Sequence, residues 1–83
     1  MQVRLHPHAS ERIEIRGATA DEVIETVRSG ERFPAKHGRT GFRLNFSGEF
    51  TWRERSFDTK QLEVYAVFEE NSWLAITVIV KFF

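Results

Sequence analysis

The chain has no cysteine, two prolines and no net charge. Without cysteine there is neither a disulfide framework nor a thiolate metal site, and a cytoplasmic location is the default expectation. The longest apolar stretch, Trp73 to Val80, is interrupted by Thr77. That is far short of the ~20 residues a membrane-crossing helix needs. No basic segment followed by an apolar one opens the sequence, so neither export by a signal peptide nor membrane insertion is expected. Zero net charge excludes a general attraction of the whole surface to nucleic acid or anionic lipid. Glycine-rich phosphate loops, nucleophile elbows and His/Cys ligand spacings are all missing. His6-Pro7-His8 has no third ligand nearby, and Pro7 serves a helix start better than a metal clip.

What the chain does have is aromatic bulk. Eight Phe, two Trp and one Tyr in 83 residues supply the dense core that so short a domain requires. Charge is unevenly spread: residues 31–60 hold seven Lys/Arg against four Asp/Glu, a basic middle centred on Arg32, Lys36, Arg39 and Arg43. No repeat or linker divides the chain, so a single domain over 1–83 is expected.

Pro7 at a first turn and Gly17 as a C-terminal cap bound a helix over about Pro7 to Arg16. Thr19 and Glu22 form a capping box, with Ala18 and Val23 as its staple, predicting a second helix from Ala20 to Ser29. From Thr40 the apolar period becomes two, with Phe42, Leu44 and Phe46 on one face and Phe50 and Trp52 continuing the parity. A three-residue loop at Ser47 to Glu49 keeps these five side chains together, and one long strand bent at Gly48 is the alternative. Further strands are expected over Lys60 to Phe68 and Trp73 to Phe82, the last apolar enough to be central and covered on both faces. Residues 2–5 could add a short edge strand, and 31–39 read as an ordered loop. The expected fold is α+β, with two N-terminal helices packed on a four-stranded antiparallel sheet.

Stepped at 100° per residue, the first helix places Ile15, His8, Arg12, Arg16, Ala9 and Ile13 in one arc, opposite Glu11 and Glu14. Two arginines turned toward the protein body need acidic partners, a wet cleft or an anion. Either they pair with Asp21, Glu22 or Glu63, or they form a phosphate site in which the His8 imidazole, a group of reference pKa ~6.5, acts as acid or base. Lys60 shares the parity of Leu62 and Val64; it joins this cluster only if its face is the one the first helix covers. With Phe68 opposite Trp73, Thr77 falls opposite Val64 on the Lys60 face, and a one-residue slip reverses that.

The run His8-Ala9-Ser10-Glu11-Arg12, then Arg16-Gly17-Ala18-Thr19, Glu22-Val23 and Gly30, followed by Val64 to Phe68 and Thr77-Val78, resembles a bacterial family catalogued as domain of unknown function 4258. That family is similar to the barnase, colicin and RelE-like nuclease group, in which helices precede a twisted antiparallel sheet and many members are ribonucleases deployed as toxins. The resemblance implies His8 as general acid or base. It implies Arg12, Arg16 and Lys60 as holders of the scissile phosphate, Thr77 as an auxiliary hydroxyl, and no metal or other cofactor. It implies RNA as substrate, guided by Arg32, Lys36, Arg39 and Arg43, and a cognate antitoxin protein as partner. The alternative reading is a non-catalytic binding or assembly module whose His/Arg cluster is structural.

Overall fold

The computed structural model describes residues 2–83. Strand β1 (Gln2–Leu5) leads into helix α1 (Pro7–Arg16), and helix α2 (Ala20–Ser29) follows at once. Both helices begin and end where their cap signals lie. His6 caps α1 by accepting the His8 N–H on Nδ1 at 3.1 Å, and Gly17 ends it in the left-handed region at φ 84°. A Cβ at Gly17 would lie 2.9 Å from the Trp52 ring, so both backbone conformation and close packing require glycine there. At α2 the box closes in both directions: Thr19 Oγ1 accepts the Glu22 N–H at 3.1 Å, and Glu22 Oε1 accepts the Thr19 N–H at 2.9 Å.

Four more strands complete one sheet: β2 (Glu31–Pro34), β3 (Thr40–Trp52), β4 (Arg55–Glu69) and β5 (Ser72–Phe82), in the order β1-β5-β4-β3-β2. The expectation of a four-stranded antiparallel sheet is therefore corrected to a five-stranded mixed sheet. Strand β1 enters beside β5 in parallel, Val3 opposite Trp73 and Leu5 opposite Ala75, and the other pairs are antiparallel. The segment read as a loop at 31–39 contains strand β2, which pairs with β3 and lays the Phe33 ring across Gly41 where a Cβ would collide with it. Pro34 is tolerated because β2 is an edge strand.

Ser47 to Glu49 is a bulge within β3 and not a turn, as the bent-strand alternative holds. The hairpin closes instead at Arg53 and Glu54, at φ 52° and 65°; Glu70 and Asn71, at 52° and 58°, make the corresponding turn between β4 and β5. Arg53-Glu54 contains no turn-forming residue type, which is why the sequence does not mark that turn, whereas Glu70-Asn71 lies in the gap between the strands expected at Lys60 to Phe68 and Trp73 to Phe82. Strand β4 consequently starts at Arg55, five residues before Lys60.

Both helices lie on one face. Ile13, Ala18, Val23 and Val27 pack over Phe42 of β3, Leu62, Val64 and Ala66 of β4, and Trp73, Ala75 and Val78 of β5. Strand β4, and not β5, occupies the middle of the sheet. Strand β5 is flanked on its outer side only at Ser72–Ala75, and Ile79 on the opposite face is 38% exposed, so its apolar run does not signify cover on both faces. A bulge at Ile76 follows: Ala66 pairs with Ala75, but Tyr65 pairs with Thr77. That slip moves Thr77 from Val64 to Tyr65 and off the parity of Lys60.

Candidate functional site

His8, Arg12 and Arg16 are successive i, i+4 neighbours on α1, so their side chains form one stripe. The buried side of the helix is Ala9 and Ile13, which anchors the stripe at the outer edge of β5. There His8, Arg12 and Arg16 meet Ile76, Thr77 and Val78 around a depression of ≈ 160 Å³. This is smaller than the ~300–1,000 Å³ of pockets that enclose a small molecule, and it suits one anionic group. The structure brings four sequence-derived residues together: His8, Arg12, Arg16 and Thr77. Thr77 lines the depression from the β5 edge, and its pairing with Tyr65 beyond the Ile76 bulge turns its side chain to the helix-free face, off the face of Lys60.

The two arginines differ. Arg16 is half-buried, and its Nη1 donates to the Val78 carbonyl, an outward-facing group of β5 beyond the end of β1. Arg12 is exposed, as is His8. Among the described residues neither arginine forms an ion pair; the expected partners are engaged elsewhere, Glu22 with Lys60 and Glu63 with Arg43. No carboxylate lines the depression, so its field is cationic.

Lys60 does not join this cluster. It lies on the helix-covered face, 8% exposed, with Nζ 3.1 and 3.0 Å from the two Glu22 carboxylate oxygens and over the Phe50 and Phe82 rings at 5.0 and 5.7 Å. An ammonium so enclosed, neutralised by Glu22 and covered by two rings, ties β4 to the N-terminus of α2 and does not line the depression beside α1.

The basic middle divides as well. Arg32 reaches over Phe42 and Trp73, at 5.3 and 5.2 Å, on the helix-covered face. Arg43 points to the other face, where Nε donates to Glu63 at 3.0 Å, Nη1 to Glu31 at 3.1 Å, and the guanidinium covers Phe33 at 4.7 Å. Lys36 and Arg39 belong to the β2–β3 connection. These four do not form one patch, because adjacent strand positions face opposite sides.

A second polar cluster, on the helix-free face, had no sequence signal beyond charge. Glu63, only 9% exposed, accepts from Tyr65 Oη at 2.9 Å as well as from Arg43. Burial raises the Glu63 pKa, but the hydrogen bonds from Tyr65 and Arg43, with the charges of Arg43 and Lys81, bring it below the usual carboxylate value. The bond to Glu63 raises the Tyr65 pKa. Alternation alone places 63 and 65 on one face, and only the observed β3–β4 register sets Arg43 opposite Glu63 and identifies the trio.

Among the described residues no three His, Asp or Glu side chains converge to hold a metal ion. No helix is long and apolar enough to cross a membrane. Comparison with protein-family models, curated proteins and solved structures finds no match to this chain.

Proposed function

We propose that this domain binds the phosphodiester backbone of RNA at the His8, Arg12 and Arg16 rim and cleaves it as a cytoplasmic, metal-independent ribonuclease of the RelE-like kind. The carrying observation is one imidazole and two guanidiniums around a depression of single-anion size with no carboxylate in its lining. Arg12 has its full fork for a phosphate, and Arg16 keeps the N–H groups that Val78 does not use. His8 takes the proton from the ribose 2′-hydroxyl. The freed oxygen attacks phosphorus, the bond to the 5′-oxygen breaks, and a cyclic phosphate forms. The arginines stabilise the charge that builds on the phosphoryl oxygens. No second side chain with an ordinary pKa near neutrality lines the depression, so the departing 5′-oxygen takes its proton from water or from His8 after it has been protonated. A toxin role with an antitoxin partner is part of the same proposal.

That single titratable side chain also favours a second reading, in which the rim holds a phosphate without cleaving it. Incubation of single-stranded RNA with the protein in excess chelator separates the two. Cleavage to 2′,3′-cyclic ends that falls by ~10²–10⁴-fold in His8→Ala supports the nuclease. Equal cleavage by the two proteins contradicts it, and RNA binding without cleavage leaves the binding module.

A further inference from the structure

Strand β1 covers the outer edge of β5 only from Ser72 to Ala75, and the His6 N–H closes that stretch on the Ala75 carbonyl at 2.9 Å. Beyond it the edge is open. Thr59 and Phe83 exchange both backbone hydrogen bonds, at 2.9 and 3.0 Å, so by antiparallel alternation the bonded pairs continue as Gln61–Lys81 and Glu63–Ile79. The N–H and C=O of Val78, Val80 and Phe82 therefore point away from β4. Among the described residues, the Val78 carbonyl meets Arg16, and no strand lies on the outer side of Val80 or Phe82.

An open groove runs along this edge. Ile15, Ile79 and Val80 give it an apolar floor, with Ile15 70% and Ile79 38% exposed. Arg12 and Arg16 of α1 and Arg53 of the β3–β4 turn rim it, and Trp52, under the Arg53 guanidinium at 5.6 Å, closes one end. No acidic side chain lines it. An exposed row of unpaired backbone groups beside an apolar strip is the template for strand addition.

We infer that this edge receives an extended, acidic segment of a partner protein, which pairs with Val78–Phe82 as a sixth strand and places carboxylates against Arg12, Arg16 and Arg53. The charge of the rim selects among occupants. A second copy joined by the same edge would bring two sets of these arginines together, whereas an acidic strand neutralises them. Alternating apolar and acidic residues match the edge, since the side chains of an added strand alternate between the α1 face, where the arginines stand, and the opposite face, where Ile79 is exposed, while main-chain bonds supply register. The inference requires no RNA cleavage, and Val80 and Arg53 lie outside the phosphate depression.

Amide exchange by NMR on the full chain, with a capped heptapeptide of alternating glutamate and valine, tests it. The Val80 amide is expected to exchange at least about tenfold more slowly with this peptide, and not with the lysine–valine counterpart. Arg53→Glu is expected to weaken binding about tenfold. Val80→Pro removes the outward donor, and binding is then lost; if that variant fails to fold, Arg53→Glu carries the test. The proposal is overturned by an unchanged Val80 amide or by equal binding of the two peptides. Protection of Val80 in a peptide-free dimer would assign the edge to a second copy, and protection by oligouridylate alone would make it an RNA track.

Discussion

Glu63 shows how a single residue can be costly to bury and still hold a face together. Its carboxylate sits at 9% exposure, fully employed by Tyr65 and Arg43, and it titrates below the usual carboxylate value. A group whose folded pKa is depressed stabilises the protein above its unfolded pKa, ~4.3 for Glu, and loses that contribution as pH falls through the folded value. Glu63→Gln is therefore expected to lower stability at pH 7 by about 1–3 kcal/mol, with the difference from wild type shrinking below pH ~4. Urea midpoints across that range check the sign; a difference that grows on acidification would contradict it. At this scale the sequence was partly legible. The stripe of His8, Arg12 and Arg16 follows from helical spacing alone, whereas the partners of Lys60 and Arg43 depend on strand register, which composition does not specify.

The helices were the most legible elements because their boundaries are written in local chemistry: proline at a first turn, glycine in the left-handed cap, and a reciprocal capping box. The strands were less so. Gly48 reads as a turn but accommodates a bulge, while the β3–β4 turn uses Arg53-Glu54, a pair that residue type does not mark; the β4–β5 turn at Glu70-Asn71 falls where the two apolar runs are interrupted, at Glu69 to Ser72. The parallel pairing of β1 with β5 joins residues 70 positions apart, which no local pattern announces. Glu22 links the two kinds of element, since one carboxylate closes the α2 box and neutralises Lys60 of β4. Thr19→Ala is expected to cost about 0.5–2 kcal/mol. Combined with Lys60→Met, the total loss should fall short of the sum by about 0.5 kcal/mol or more, because either change already loosens the box. Strict additivity in a chemical-denaturation cycle would show that the two contacts of Glu22 are independent.

Over the whole molecule, zero net charge hides a polarised surface. The helix-free face ties its charges into local pairs around Glu63, whereas the α1–β5 edge keeps Arg12 and Arg16 without an acidic partner among the described residues. The fold class was legible as α+β from the order of periods, two helical stretches before the alternating ones, but the four expected strands split β3 in two at Gly48 and left out β2, read as a loop, and β1, read only as an optional edge strand. The candidate site was legible as a helix stripe, and the structure adds the β5 edge at Ile76 to Val78 that the stripe lies against. Under the proposed function, RNA is attracted by one cationic edge and not by overall charge, so binding is expected to be local and to weaken steeply with salt. The most direct test is an NMR titration of the full chain with a short oligouridylate at low and high ionic strength, following the His8 imidazole and the Arg12 and Arg16 side chains. Shifts confined to those groups and Thr77, fading as salt rises, are the predicted result. Shifts centred on Arg32, Lys36, Arg39 or Arg43 with His8 unmoved, or none at low salt, would contradict the assignment of this edge as the phosphate site.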